Sequence, residues 1–411
     1  MKRGCDLACG CEYQSLDKAF QKGLISREEI KQAAVRVMTT RFKLGQFDQQ
    51  TVYDTLGIES LDSEEHALLA YEASCRSLVL LKNDGLLPLR KKDVGTIAVI
   101  GPNADSTQAL WGNYHGTSSR YVTILEGLRE YTQGHARILY SEGSGLTKNK
   151  VERLAKEDDR LSEAVFMAKA SDVVVLCLGL NETVEGEMHD DGNGGWAGDK
   201  DDLRLPLCQR KLLKAVARTG KPIIVVLLSG GSLDPEIEQY GNVRALIQGW
   251  YPGQEGGRAI THLLFGAFSP SGKLAVTFYK AEAVLPAFTD YSLNRRTYRY
   301  CDHSDVLYPF GFGLSYASFS FDGLQAKETD EDDVEVEVSV RNTSSIASRT
   351  VVQFYLKMEG PDLPPHPVLC GMSSVLLQGN EEKLVHLRID ARRFTAVDTE
   401  GIRHTVSGPY T

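Results

Sequence analysis

The hydrophobic pattern changes twice along the chain. Over residues 1–50 it is helical: Ser26 and Glu29 form a capping-box pair ahead of Ile30, Ala34, Val37 and Met38, and Gly45 follows Leu44 as a stop. The spacing predicts one amphipathic helix whose apolar face, made by those four residues, needs something to pack on. From about residue 67 to 300, continuous apolar runs alternate with helical periods. "TIAVIG" (96–101), "DVVVLCLG", "PIIVVLLSG" and "VRALIQGW" read as strands covered on both faces; "RLSEAVFMAKA", "PLCQRKLLKAVARTG" and "GGRAITHLLFG" read as the helices, with Gly or Pro at the joints. That alternation predicts an α/β fold, a parallel sheet with helices on both faces. After about residue 318 the period falls to two. Val334, Val336, Val338 and Val340 share one face of "VEVEVSVRN" and Glu335, Glu337 and Ser339 the other, and "VVQFYLK" and "KLVHLRID" repeat the alternation, which predicts a small β-sandwich.

One loop stands out against this frame. The buried strand Val173 to Leu178 ends at Gly179 and runs into Glu182, Glu185, Glu187, Asp190 and Asp191. In sheets of this kind ligands gather outside the carboxyl ends of the strands, so the acids sit at a functional address. A glutamate on a glycine-flanked loop suits proton transfer to a sugar's leaving oxygen, for which a glycosidase needs a second carboxyl group across the scissile bond. A merely solvated acidic loop fits the residue types equally well.

Composition removes other chemistries. With 411 residues, 42% hydrophobic and 25% charged, the chain has material for two or three domain cores. A formal net charge of −9 disfavours nucleic acid and anionic membrane as partners. No apolar run reaches the ~20 residues of a membrane span, and "MKRGCDLACG" has no apolar segment of the signal-peptide kind. The eight cysteines are scattered rather than framed for disulfides, so a reducing, cytoplasmic setting is the expectation. Cys5, Cys9 and Cys11 cluster without a C-x-x-C pair or nearby histidine, and a zinc site is not expected. "VIGPNADS" lacks the G-x-G-x-x-G of a dinucleotide fold, and "DDGNGGWAGDKDD" lacks the spacing and closing Glu of a calcium loop. No metal and no cofactor is expected.

Several stretches together carry a family resemblance: "DLACG", "GLISREEIKQAAVRVMTTRFKLGQFD", "SLVLLKNDGLLPL", "IAVIGPNAD", "WGNYHG", "GWYPGQEGGRAITHLLFGAFSPSGKLAVTFY", "RTYRY" and "YPFGFGLSY". In unbroken order and over nearly the whole chain, they resemble the downstream two thirds of a glycoside hydrolase of family 3, the β-glucosidase and β-xylosidase family. The resemblance implies a domain plan. Residues 1–50 would be the C-terminal remnant of a (β/α)8 barrel, 51–66 a linker, 67–300 the α/β sandwich domain and 301–411 a fibronectin type III-like domain. It also implies a retaining β-glycosidase whose acid/base is a Glu just before an Asp on this loop. "EGEMHDD" puts Glu187 three residues before Asp190, and the role carries to Glu187. Glu185 is the fallback, because loop lengths here vary. His189, Asp190 and Trp196 are the candidates for the sugar's surroundings, an indole face being a usual sugar platform.

The family's nucleophile is an aspartate on a barrel strand upstream of "DLACG". Asp6 belongs to "DLACG" itself and does not match the nucleophile motif, so the expectation is a fragment without its nucleophile. Its substrate would be a β-glycoside or oligosaccharide, its partner a separately encoded barrel domain, and the chain alone would be inactive. A non-catalytic carbohydrate-binding or structural remnant is the alternative. The residues that would separate glucosides from xylosides lie mostly on the barrel.

Overall fold

A computed structural model of the chain describes residues 1–148, 156, 158–185, 200, 202–283, 285–287, 289–329, 332–360, 363–398, 400–406 and 410. The chain divides into two compact units, Met1–Ser63 and Glu64–Thr411.

The first unit is helical, with α1 (Leu16–Gln21) and the longer α2 (Arg27–Lys43). The capping box is present: Glu29 N donates to Ser26 Oγ at 3.2 Å, and Ser26 N donates back to Glu29 Oε2 at 2.8 Å. Leu44 ends the helix, and Gly45 follows in the left-handed region. The buried face is rotated from the expected one. Ala33 is the buried residue of α2, Ile30 and Val37 are half-buried, and Ala34 and Met38 are exposed. Arg36 Nε and Nη2 donate to the two carboxylate oxygens of Asp6 at 2.7 and 2.6 Å. Asp6 therefore ties the "DLACG" loop to α2, with the guanidinium holding its carboxyl below the usual range.

The second unit opens with α3 (Glu64–Ser77) and contains a six-stranded sheet. Its strands are β1 (Val79–Asn83), β2 (Thr96–Ile100), β3 (Arg137–Ser141), β4 (Val173–Gly179), β5 (Ile223–Leu228) and β6 (Val243–Gln248). The order is β1-β6-β5-β4-β2-β3, all parallel except β1, which runs antiparallel to β6 at one edge. Strands β2, β4, β5 and β6 are those expected; β1 and β3 are additional.

Alternation within each continuous apolar strand fills two cores. Val174, Leu176 and Leu178 join Ala164 and Ala168 of α5 (Asp159–Lys169) and Leu212, Leu213 and Val216 of α6 (Leu207–Ala217). Val173, Val175 and Cys177 join Ile124, Leu125 and Leu128 of α4 (Ile124–Thr132) and Ile260, Leu263 and Leu264 of α7 (Gly256–Leu264). The chain steps outward from β2 through α4 to β3, then crosses back over β2 through α5 to β4. The winding therefore reverses between β2 and β4, which opens a crevice at their carboxyl ends.

A ribbon of β7 (Phe278–Tyr279) and β8 (Val306–Tyr308), with the single turn α8 (Thr297–Tyr300), leads into the β-sandwich. One of its sheets has the order β13-β10-β9, from β9 (Phe319–Glu328), β10 (Val334–Asn342) and β13 (Glu382–Ile389); the other pairs β11 (Ser348–Leu356) with β12 (Val368–Leu377). Val336, Val338 and Val340 face Val352 and Phe354 in its core, as the two-residue period requires. The sandwich docks on the connector. Tyr298 stacks on Phe310 with ring centroids 4.1 Å apart, Leu369 N donates to Tyr298 Oη at 3.1 Å, and Gln353 Nε2 donates to the Gly311 carbonyl at 3.0 Å.

Candidate active site

The acidic loop is launched by the end of β4. Gly179 has φ of +130°, and a Cβ there would lie 1.9 Å from the Leu228 carbonyl oxygen, so only glycine lets β4 leave the sheet beside β5. Gln209, fully buried on α6, receives Gly179 N at 2.9 Å and donates to the Gly179 and Leu146 carbonyls at 2.7 and 2.6 Å. Beyond it, Leu180 N donates to Leu228 O at 2.7 Å. Asn181 then caps a short 3-10 turn, Glu182–Val184, its Oδ1 accepting from Thr183 N at 3.0 Å and Thr183 Oγ1 at 2.6 Å. Val184 is buried among the residues under α6, so the turn is anchored by one apolar side chain between two glutamates.

Those two glutamates have separate partners. His115 Nε2 lies 3.3 Å from Glu182 Oε2, and the imidazole rests against Trp111 with ring centroids 4.6 Å apart. Glu185 reaches across to the loops that follow β5 and β6. Its Oε1 accepts from Gly230 N at 3.0 Å, and its main-chain carbonyl accepts from Asn113 Nδ2 at 3.2 Å. Tyr251 lies beside it, its phenol kept protonated well above the usual tyrosine range by burial first and the Glu185 carboxylate second. The preceding Trp250 adopts a left-handed backbone with φ of +56°, uncommon for so bulky a residue, and its Nε1 donates to Ser77 O at 3.1 Å. Strain of this kind is held only where surrounding contacts fix it, and here it sets the direction of the chain into Tyr251.

Of the residues the sequence singles out, Glu187, His189, Asp190 and Trp196 lie outside the described residues. Glu185 is described, and its carboxylate is engaged by a main-chain amide. Sequence reasoning left Asn113, His115, Gly230 and Tyr251 without roles. The signal for Asn113, His115 and Tyr251 was "WGNYHG" in the loop after β2 and "GWYPG" directly after β6, where aromatic and amide side chains meet the same edge as the acids; Gly230 carried none. Among the described residues no group of three or more His, Cys, Asp and Glu could hold a metal ion.

Carboxylate, amide and aromatic groups thus gather on loops at the carboxyl edge of a doubly wound sheet, and residues 78–316 match the model of the glycosyl hydrolase family 3 C-terminal domain. The chain is 32% identical over 430 residues to a periplasmic β-glucosidase of Salmonella typhimurium, covering 95% of this chain and 54% of that protein. It is 35% identical to β-D-xylosidase 1 of Arabidopsis thaliana, covering 78% of this chain and 40% of the other. Among solved structures, a family 3 exo-β-xylosidase in complex with a xylobiose aziridine activity-based probe superposes with a TM-score of 0.84 at 28% identity, over 97% of this chain and 53% of that one. A β-glucosidase from Erythrobacter marinus superposes with a TM-score of 0.78 at 32% identity, over 96% and 54%. The chain belongs to glycoside hydrolase family 3. It spans about half the length of the curated relatives it matches.

Proposed function

We propose that these 411 residues supply the acid/base side of a retaining β-glycosidase acting on β-glucosides or β-xylosides, with Glu187 as the acid/base. The nucleophile is an aspartate of a barrel domain outside these residues. The observation that supports the reading is the departure of residues 180–185 from the carboxyl end of β4, held by Asn181, Val184 and Gln209 within the span that matches the family model. Protonated Glu187 donates to the leaving oxygen as the aspartate attacks the anomeric carbon. As a carboxylate it then takes a proton from the water that cleaves the aspartyl ester. Glu185, engaged by Gly230 N, anchors the near end of the loop. The alternative is a non-catalytic carbohydrate-binding or structural chain.

The test uses the chain alone and then with a family 3 barrel domain added. Alone it is expected to leave aryl β-glucosides and β-xylosides intact, because proton transfer, typically worth about 10²–10⁴ in rate, does not replace the covalent step. With the barrel, Glu187→Ala should abolish cleavage of disaccharides while sparing much of the first step on a dinitrophenyl glycoside, and azide should restore turnover. Azide rescue of Glu185→Ala in its place would shift the assignment by two residues. Turnover by the chain alone would put a second catalytic carboxylate inside it.

A further inference from the structure

The eight cysteines fall into two groups. Cys177, Cys208 and Cys301 are buried and Cys75 and Cys370 half-buried, and burial pushes all five thiols above the ordinary value. The thiolate is the reactive form, so these five are inert where they lie. Cys5, Cys9 and Cys11 are exposed, and all three belong to the first unit. The last of them opens the 3-10 turn Glu12–Ser15, where Gln14 N donates to the Cys11 carbonyl at 3.1 Å. Tyr13, carried by that turn, reaches back and donates from Oη to the Cys5 carbonyl, which closes residues 5–13 on themselves. Cys5 Sγ donates to the Leu7 carbonyl at 3.4 Å inside the same loop. The thiol and the phenol are neighbours. The Cys5 side chain is the first cause that keeps the Tyr13 hydroxyl protonated above its ordinary range, ahead of desolvation and of the charges of Asp6 and Glu12.

We propose that this loop is a thiol–disulfide exchange site that reacts with a low-molecular-weight disulfide, with Cys5 as the attacking thiol and Cys9 or Cys11 resolving. The Tyr13 hydroxyl is the donor that stands beside the Cys5 thiolate. That thiolate attacks one sulfur of the small disulfide, forming a mixed disulfide and expelling one small thiolate. The thiolate of Cys9 or Cys11 then attacks Cys5 Sγ, forming the intrachain S–S bond and expelling the second. Two protein thiols are oxidised, the small disulfide is reduced to two thiols, and these take up the two protons that the cysteines lost. Exposure favours this chemistry over a permanent bridge, because an exposed disulfide is the labile kind. A three-thiol metal site has no support, since among the described residues no group of three His, Cys, Asp and Glu could hold an ion. Either bridge encloses Asp6, so it bears on the ion pair with Arg36 that ties the loop to α2.

The experiment incubates the 411-residue chain with glutathione disulfide, quenches it with an alkylating reagent in denaturant, and reads the tryptic peptide of residues 4–18 by mass spectrometry. That peptide holds these three cysteines and none of the other five, and nothing in the readout depends on hydrolysis. It should lose two hydrogens and take one alkyl group, and dithiothreitol should return it to three. Cys5→Ser should slow bridge formation about tenfold or more, and Tyr13→Phe, which keeps the aromatic ring and loses the hydroxyl, about threefold. Cys9→Ser and Cys11→Ser should each still close a bridge, whereas the two together should stop at the mixed disulfide. In urea, where the contact from Tyr13 to Cys5 is lost, closure should slow about tenfold. A peptide that stays fully alkylated, wild-type rates in Cys5→Ser or Tyr13→Phe, or equal rates with and without urea would each overturn the inference.

Discussion

Two residues show how much of this structure rests on single atoms. At Gly179 both the positive φ and the 1.9 Å approach of a would-be Cβ to Leu228 O exclude any side chain. Gly179→Ala should therefore cost about 3 kcal/mol or more, read as a fall in the urea midpoint of the α/β core, and should disturb the 3-10 turn that follows. Asp333 acts on the β-sandwich by charge. The Arg388 guanidinium, then the Ala391 amide at 2.8 Å, lowers its carboxyl below the usual value of 3.8. A depressed carboxylate contributes stability that is complete above its unfolded value and is lost as pH falls through the folded one. Acid titration followed by circular dichroism should show the sandwich weakening below pH 3.8, with Asp333→Asn flattening that part of the curve.

At the scale of elements, the strands with continuous apolar runs were legible in the sequence because each fills two cores at once. Strand β3 was not: its "RILYS" is exposed or half-buried over most of its length and carries no clean period. Strand β1 follows α3 almost directly, so its short run "VLLKN" reads as a continuation of the helix. The shift from Ala34 to Ala33 on α2 has a simple cause, since adjacent alanines are identical to any hydrophobic pattern. The site divides in the same way. Its loop address was readable from the strand that precedes it, but Gly230 and Asn113 lie 45 and 72 residues from Glu185, too far to leave a local period. Gln209 joins α6, β4 and the loop after β3 through three bonds, two of them buried and one part-buried. Gln209→Leu keeps the bulk and orphans those groups, so a loss of about 2–4 kcal/mol is expected in equilibrium unfolding, well beyond a surface substitution.

At the scale of the molecule, the α/β core and the sandwich form one compact unit, Glu64–Thr411. Tyr298 is central to their junction through its stack on Phe310 and its bond from Leu369 N. Tyr298→Ala should split the calorimetric melting of this unit, with the sandwich unfolding first, whereas a single unchanged transition would show that the junction adds no coupling. The antiparallel edge strand has a consequence of another kind, in biosynthesis. Strand β1 is made early, yet among the described residues the strand beside it in the sheet is β6: Asp84 N donates to the carbonyl of Arg244, 160 residues further on. At about 5–20 residues per second, a ribosome needs on the order of ten to thirty seconds to supply that neighbour. Throughout that interval Val79, Leu80 and Leu81, all buried in the finished fold, wait without a place in a sheet, so the nascent chain is most open to chaperone capture before β6 emerges.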